Sequence, residues 1–220
     1  MREIMDSVSD VRIRKVVVMS SAQVAKTELE INTTGYYMHY DPVPILMMQP
    51  TITMAESFSK NRLAKSIQET PVLRGMISDR RGAGNTILEK VFPGGSIAIV
   101  GANSPSSLAS RPVQVLLADE VDRYPATAGT EGDPLFLASE RLTTFWNSKE
   151  VYVSTPGNKG TSRIELEYQN SSQGEWNVPC PHCGELQPLT WEGVVFDKDN
   201  LDTIQYCCSK CGALATEAEW

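Results

Sequence analysis

Eight residues, Ser20–Thr27, have the residue types of a phosphate-binding loop and lie between an apolar run and a stretch with helical character. In a P-loop, backbone N–H groups and the following helix N-terminus hold the phosphates. The final lysine contacts the β- and γ-phosphates, and the hydroxyl residue after it ligates Mg²⁺. Glycine usually occupies the positions of Ser20 and Ala25, because it permits unusual backbone angles. The candidate nucleotide-binding residues are Ser20, Ser21, Ala22, Gln23, Val24, Ala25, Lys26 and Thr27.

Two adjacent carboxylates, Asp119-Glu120, follow the apolar run Val115–Ala118. A buried strand with this ending suits ATP hydrolysis, in which Asp119 holds Mg²⁺ and Glu120 orients or deprotonates the attacking water. The alternative is a core strand followed by a solvated acidic turn. The loop that ends in Lys26-Thr27, after an earlier strand of the same sheet, favours the hydrolytic interpretation.

A third candidate segment, Ser154-Thr155, ends another apolar strand. Parallel strands bring their carboxyl ends to one edge of a sheet, where ligands bind. We therefore expect Ser154 and Thr155 to lie near the γ-phosphate and to relay hydrolysis to the rest of the domain. A turn that simply ends the strand at Pro156 is the alternative.

The five cysteines all lie between Cys180 and Cys211, where two C-x₂-C-G segments are separated by 24 residues. Each segment brings two thiolates together, and four thiolates complete a tetrahedral, structural Zn²⁺ site. Disulfides are the alternative, and a cytoplasmic location disfavours them. Cys207 could compete as a ligand, although the spacing favours Cys208, and His182 is expected to be a turn residue. The candidate zinc ligands are Cys180, Cys183, Cys208 and Cys211.

These residues need a sheet to position them, and the order of elements predicts one. Apolar runs at 14–19, 44–50, 87–100, 113–118 and 150–154 alternate with helical patterns near 28–40, 53–69 and 136–146. This alternation predicts a mostly parallel α/β sheet that is covered on both faces. From about residue 173 the pattern changes to short strands, turns and cysteines. We therefore predict an ATPase domain over 1–172 and a zinc ribbon over 173–220.

The formal net charge of −7 argues against a general polyanion binder but allows a local basic groove. Candidate DNA contacts are the loop Arg80–Asn85 and the residues Lys60, Arg62 and Lys65, which could equally be plain solvated surface. The chain contains no membrane-length apolar run and no signal-peptide core, so we expect a cytoplasmic protein. The arginines that could stabilise transition-state charge are Arg80, Arg81, Arg111, Arg123 and Arg163.

Taken in order, these motifs resemble the large terminase subunit of tailed phages, specifically the lambda-like type. The resemblance covers nearly the whole chain. The matching segments are Ser21–Thr27, Gln49-Pro50-Thr51, Glu69-Thr70-Pro71, Gly101–Ser104, Ser110-Arg111-Pro112, Leu117–Pro125, Ser154–Pro156 and Ser162–Ile164.

The resemblance implies an ASCE-type P-loop ATPase related to the helicases, acting in a DNA-packaging motor in the host-cell cytoplasm. It implies double-stranded DNA, a small terminase subunit and a portal protein as partners, and ATP, Mg²⁺ and Zn²⁺ as ligands. It assigns Lys26 and Thr27 to the phosphate loop, Asp119 and Glu120 to the metal and catalytic carboxylates, and Ser154-Thr155 to the coupling motif. Because such proteins are longer, we expect a fragment without the nuclease domain and therefore no DNA cleavage.

Two other functions are compatible with the same residues. One is a superfamily 2 helicase-like ATPase that shares the core but unwinds strands. The other is a catalytically inactive remnant that serves as a zinc-bearing interaction module, for which Ala25 in the phosphate loop is the main argument.

Overall fold

The apolar runs before the cysteines form one six-stranded sheet in the computed structural model. Its strands are β1 Lys15–Met19, β2 Pro44–Gln49, β3 Glu89–Phe92, β4 Gly95–Gly101, β5 Val115–Asp119 and β6 Lys149–Ser154. The strand order is β1-β6-β5-β2-β4-β3. All neighbouring pairs are parallel except β3 with β4, which are antiparallel around Pro93-Gly94. The predicted α/β architecture with a mostly parallel sheet is confirmed.

Both faces of this sheet are covered, because side chains alternate along each strand. In β2, Ile45 and Met47 belong to a core that includes Leu29 of the first long helix. The residues between and after them, Leu46 and Met48, belong to a second core on the other face. All five residues of β5 are buried. Four of them are apolar, and the last, Asp119, is the one ionisable residue of the strand.

Helices connect and cover the strands. They are α1 Arg2–Ser9, α2 Lys26–His39, α3 Ile52–Phe58, α4 Ala64–Glu69, α5 Pro105–Leu108, α6 Pro134–Ser139 and α7 Arg163–Gln169. A π-helical turn, Ser59–Leu63, joins α3 to α4, so the helical stretch predicted over 53–69 is continuous. Sequence patterns did not predict α1.

The helix expected over 136–146 is shorter than predicted and begins earlier. Asp133 caps it by accepting hydrogen bonds from the N–H groups of Leu135 and Phe136, and Pro134 occupies its first turn. After Ser139 it tightens into a 3₁₀ turn that ends at Leu142. The Asp-Pro pair is a helix-start signal that the apolar pattern alone does not reveal.

By its internal contacts the chain divides into two units, Met1–Ser171 and Ser172–Trp220. The second unit contains a two-stranded and a three-stranded sheet. Its strands are β7 Asn177–Pro179, β8 Leu186–Pro188, β9 Val194–Asp197, β10 Asn200–Cys207 and β11 Leu214–Ala215. That each unit is an independent domain stays a prediction.

The structure describes residues 2–77, 85–108 and 111–220. Most of the predicted basic loop, including Arg80 and Arg81, lies outside these residues, as does Ser110. Within the described ranges, no helix combines the length and apolar content that crossing a bilayer requires.

Candidate active site

The predicted phosphate loop connects β1 to α2, and its backbone adopts the conformation that favours glycine. Gln23 and Ala25 both have φ of 64°. Ala25 immediately precedes the first residue of α2, with ψ of 25°. A left-handed conformation costs a residue with a Cβ roughly 1–2 kcal/mol. The alanine that departs from the usual loop sequence therefore occupies a strained position.

Lys26 lies at the centre of the candidate site, with only 7% of its surface exposed. Its Nζ donates to the Ser21 carbonyl oxygen at 2.9 Å and to Thr155 Oγ1 at 2.6 Å. Glu120 Oε1 lies 3.7 Å from the same nitrogen. One buried ammonium thus contacts all three segments that the sequence singled out.

Asp119 ends β5 and is also only 7% exposed. Its Oδ2 accepts a hydrogen bond of 3.0 Å from Nε2 of Gln49, the last residue of β2. Burial raises the pKa of Asp119, and the nearby Glu120 carboxylate adds to the effect, whereas the Gln49 hydrogen bond opposes it. Gln49 was part of the family resemblance but was not among the predicted site residues. It belongs to the site because β2 and β5 are neighbours.

Glu120 is held between two cations in a left-handed backbone conformation, with φ of 52° and ψ of 50°. Lys26 lies on one side of its carboxylate, and Nε of Arg123 lies 3.8 Å from Oε2 on the other. Residues in such conformations concentrate at functional sites, where the surrounding structure fixes them. The backbone strain supports a functional role for this carboxylate.

Strand β6 lies between β1 and β5, so Ser154 and Thr155 end at the same sheet edge as the phosphate loop and the carboxylates. The Ser20 N–H donates to the Ser154 carbonyl oxygen at 3.2 Å. The buried Ser154 hydroxyl donates to the Thr155 carbonyl oxygen and accepts from the Asp122 N–H. The structure therefore brings the predicted coupling segment into contact with both other segments.

The remaining predicted loop residues lie around this centre without equally specific contacts. Ser20 Oγ is buried and has no hydrogen-bond partner among the described residues. Thr27 is half-buried in the first turn of α2, and Val24 is exposed. An unpartnered buried hydroxyl beside the loop is compatible with a polar ligand there.

Glu30 of α2 is a buried carboxyl that sequence reasoning missed. Its surface is 0% exposed, and within the described part of the chain neither carboxyl oxygen has a hydrogen-bond partner. Burial raises its pKa well above the ordinary value, with further contributions from Asp119 and Glu120 that Lys26 partly offsets. Only the orientation of α2 against the sheet reveals it, because more than half of the residues of Lys26–His39 are polar, which by itself is typical of a solvated helix.

The described arginine candidates have different environments. Arg111 pairs with Glu89, on the antiparallel edge strand away from the phosphate loop. Arg163 donates to backbone carbonyls and pairs with Asp133. Arg123 is the described candidate that contacts a predicted catalytic carboxylate.

The basic residues expected to face DNA in the π turn and α4 are each paired with a carboxylate. The pairs are Lys60 with Glu56, Arg62 with Glu28 and Lys65 with Glu69. These side chains are largely exposed, and DNA contact by them stays a prediction.

In the second unit, the four predicted cysteines converge. Their Sγ atoms all lie within 4.8 Å of one another, and all five cysteines of the chain are free thiols. In each C-x₂-C-G segment the glycine, Gly184 or Gly212, has positive φ, as the tight turn requires. The N–H of Cys211, together with Gln187 Nε2 and the N–H of Lys210, lowers the pKa of Cys208 to about 6. Gln187 is buried beside this thiol, with Nε2 at 3.2 Å from Sγ.

Comparison with known proteins decides the family. The family described as the ATPase domain of the phage terminase large subunit gpA has a model that matches residues 1–220. The chain belongs to this family. The resemblance inferred from the motifs is thereby confirmed.

Two phage proteins of known sequence are similar to this terminase ATPase domain over nearly its whole length. The terminase large subunit of Enterobacteria phage P21 is 27% identical over 226 residues, which cover 98% of this chain and 35% of the relative. The terminase large subunit of Escherichia phage lambda is 26% identical over 228 residues, covering 99% and 36%. The chain spans about a third of the length of these relatives.

Solved terminases share the fold. The ATPase domain of the Thermus phage P74-26 large terminase has a TM-score of 0.57 at 14% identity, over 84% of this chain and 76% of that chain. The large terminase of the thermophilic bacteriophage D6E has a TM-score of 0.58 at 16% identity, over 77% and 41%. At this identity the similarity establishes the terminase ATPase fold alone.

Proposed function

We propose that this chain binds and hydrolyses ATP as the motor domain of a phage DNA-packaging terminase. The observation that carries the proposal is the position of Lys26, whose Nζ contacts Ser21, Thr155 and Glu120 at one sheet edge. A buried ammonium beside a strained loop and a helix N-terminus suits polyphosphate. Membership of the terminase ATPase family supports the same assignment.

Lys26 and the loop 20–27 bind the phosphates of ATP in this proposal. The ammonium now satisfies its donors with Ser21 and Thr155, so binding exchanges these contacts for phosphate oxygens. The large terminase of bacteriophage D6E has been solved in complex with ADP, and it shares the fold with a TM-score of 0.50 at 14% identity. That complex supports nucleotide binding here without assigning residues.

The two carboxylates have separate roles. Asp119 and Thr27 would hold Mg²⁺, which neutralises phosphate charge when it is bound. The raised pKa of Asp119 reflects a buried carboxyl that a cation would stabilise in its charged form. Glu120 orients or deprotonates the attacking water.

We also propose that ATP hydrolysis in this domain is coupled to movement of DNA. Thr155 contacts Lys26, and Ser154 hydrogen-bonds the segment after Glu120, so both respond when Lys26 changes partners. Double-stranded DNA, a small terminase subunit and a portal protein are the proposed partners, in the cytoplasm of the host cell. We infer these partners from membership of the terminase family.

We further assign a structural Zn²⁺ to Cys180, Cys183, Cys208 and Cys211. Four sulfurs at the usual Zn–S distance of about 2.3 Å stand about 3.8 Å apart in a tetrahedron. The Cys180–Cys211 and Cys183–Cys208 sulfur distances are 3.9 and 3.8 Å. The two small sheets around them bury few side chains, which fits a unit that depends on metal for its stability.

Calorimetry of ATP binding tests the proposal. Wild type should bind Mg·ATP, and Lys26→Ala should weaken binding at least 100-fold. Lys60→Ala, which removes a surface lysine paired with Glu56, should bind like wild type. Absence of ATP binding by wild type would contradict the proposal and favour the zinc-bearing interaction module. ATP-driven strand separation by the purified chain would favour the helicase-like ATPase.

A further inference from the structure

The segments that follow β5 and β6 are joined by two side chains that have no part in the proposed binding and hydrolysis of ATP. The segment 120–125 follows β5 and carries Glu120, and the segment 154–165 follows β6 and carries Thr155. Each segment sends one charged side chain into the backbone of the other, and Asp122 and Arg163 are these two residues.

The Asp122 carboxylate gathers the backbone of the second segment. Its Oδ2 accepts from the Gly157 N–H at 2.6 Å, and its Oδ1 accepts from the Ile164 N–H at 2.8 Å. Burial acts to raise its pKa, but hydrogen bonds from the Ser162 side chain and from these N–H groups hold the pKa below its ordinary value. The carboxylate therefore fixes both ends of the turn between β6 and α7.

The Arg163 guanidinium makes the reciprocal contacts. Its Nη1 donates to the Tyr124 carbonyl oxygen at 2.9 Å, and its Nη2 donates to the Pro125 carbonyl oxygen at 2.7 Å. Nη2 also lies 2.9 Å from Asp133 Oδ2. With both terminal nitrogens bound to backbone carbonyl oxygens, Arg163 is poorly placed to stabilise charge on a phosphate. Its planar guanidinium is the feature that reaches two carbonyls at once.

We infer that Asp122 and Arg163 form a clasp that makes the Glu120 loop and the Thr155 loop move as one body. The two residues are positioning residues, and this role rests on the proposed ATPase function. Lys26 contacts both Thr155 and Glu120. Asp122 and Arg163 connect the two loops that carry these residues. A change of partner at Lys26 therefore reaches the water-activating carboxylate and the coupling segment together.

Hydrogen exchange of the full chain without nucleotide tests the clasp independently of catalysis. Asp122→Asn should raise exchange at least tenfold at the N–H of Tyr124, which its carboxylate does not touch and which donates to the Val121 carbonyl oxygen. Arg163→Ala should do the same at Gly157, which its guanidinium does not touch. Increases confined to the groups that each side chain contacts directly would overturn the inference. Arg163→Lys, which keeps the charge but not the fork, gives a milder variant should the others unfold.

The ATPase readout then separates the two claims. Asp122→Asn and Arg163→Ala should lower kcat at least tenfold while ATP affinity changes less than threefold, and the double variant should lose little more than either single one. Asp10→Asn, which breaks a surface pair with Arg12, is the matched control and should keep wild-type kcat. Full activity in both clasp variants would overturn the inference while leaving the ATPase intact. Remote exchange effects in a chain that cannot bind ATP would retain the clasp and reject the proposed function.

Discussion

At the scale of single residues, the site combines strained backbone with buried charge. Ala25 and Glu120 both adopt left-handed conformations, and each flanks a group proposed to act on ATP. Glu30 and Asp119 are carboxyls whose burial raises their pKa. Such features lower stability, so their presence at one sheet edge supports a functional site rather than a structural one.

The strain at Ala25 predicts a stabilising substitution. Ala25→Gly should raise the free energy of unfolding by up to about 1 kcal/mol, because relief of left-handed strain exceeds the added entropy of the unfolded chain. Ala22→Gly in the same loop should lower it by roughly 0.5–1 kcal/mol, since Ala22 does not have positive φ. Denaturant unfolding measures the free energy of unfolding of both variants. Equal changes in the two would show that the backbone at Ala25 is not strained.

Glu30 predicts a pH dependence. Its pKa is raised in the folded state, so the folded state keeps the proton when the unfolded state loses it near the ordinary value of 4.5. Stability therefore falls as the pH rises from 4.5 towards the folded-state pKa, by about 1.4 kcal/mol per unit. Asp119, Glu120, Lys26 and Tyr124 are the charged or titratable groups coupled to it.

Glu30→Gln should remove this slope. The variant should gain stability over wild type at pH 8 and show a smaller gain at pH 5, in denaturant unfolding at both values. A difference between the two proteins that does not vary with pH would show that Glu30 is charged in the folded state.

At the scale of elements, strand order decides which residues share the site. The sequence allowed Lys26, Asp119, Glu120, Ser154 and Thr155 to be predicted as neighbours, because the carboxyl ends of parallel strands meet at one edge. Strand order was not predictable, so Gln49 was missed: β2 lies next to β5 although the two are far apart in sequence. The start of α6 was misplaced because its Asp-Pro cap precedes the apolar pattern.

The pairing of β2 with β5 predicts the importance of Gln49. Gln49→Leu should lower stability by about 1–3 kcal/mol by leaving the buried Asp119 carboxyl without its donor, and should weaken Mg²⁺-dependent nucleotide binding. Gln68→Leu changes an exposed glutamine of α4 and should have little effect on either. Unchanged nucleotide affinity in Gln49→Leu would argue that Asp119 needs no support from β2.

At the scale of the whole molecule, the two units differ in charge. Residues 172–220 hold eight acidic and two basic side chains, so this unit carries −6 of the total charge of −7. The ATPase unit is therefore nearly neutral. The net charge of −7, which by itself disfavours a DNA partner, therefore comes mostly from the cysteine-rich unit. That unit is poorly suited to contact a phosphate backbone.

The metal assignment predicts that the units respond separately to chelation. The purified chain should hold about one Zn²⁺, and its removal should unfold the cysteine-rich unit while the sheet of the ATPase unit keeps its structure. Cys183→Ser should lose the metal, whereas Cys207→Ser should keep it, since Cys207 lies outside the cluster. Metal analysis with hydrogen exchange checks this, and equal zinc content in the two variants would contradict the ligand set.

The most direct test of the central claim is the rate of ATP hydrolysis by wild type and by Glu120→Gln at saturating Mg·ATP. The proposed function predicts hydrolysis by wild type and a loss of roughly 10²–10⁴-fold in the variant, with ATP affinity nearly unchanged. Equal hydrolysis by the two proteins, or none by wild type, would contradict it.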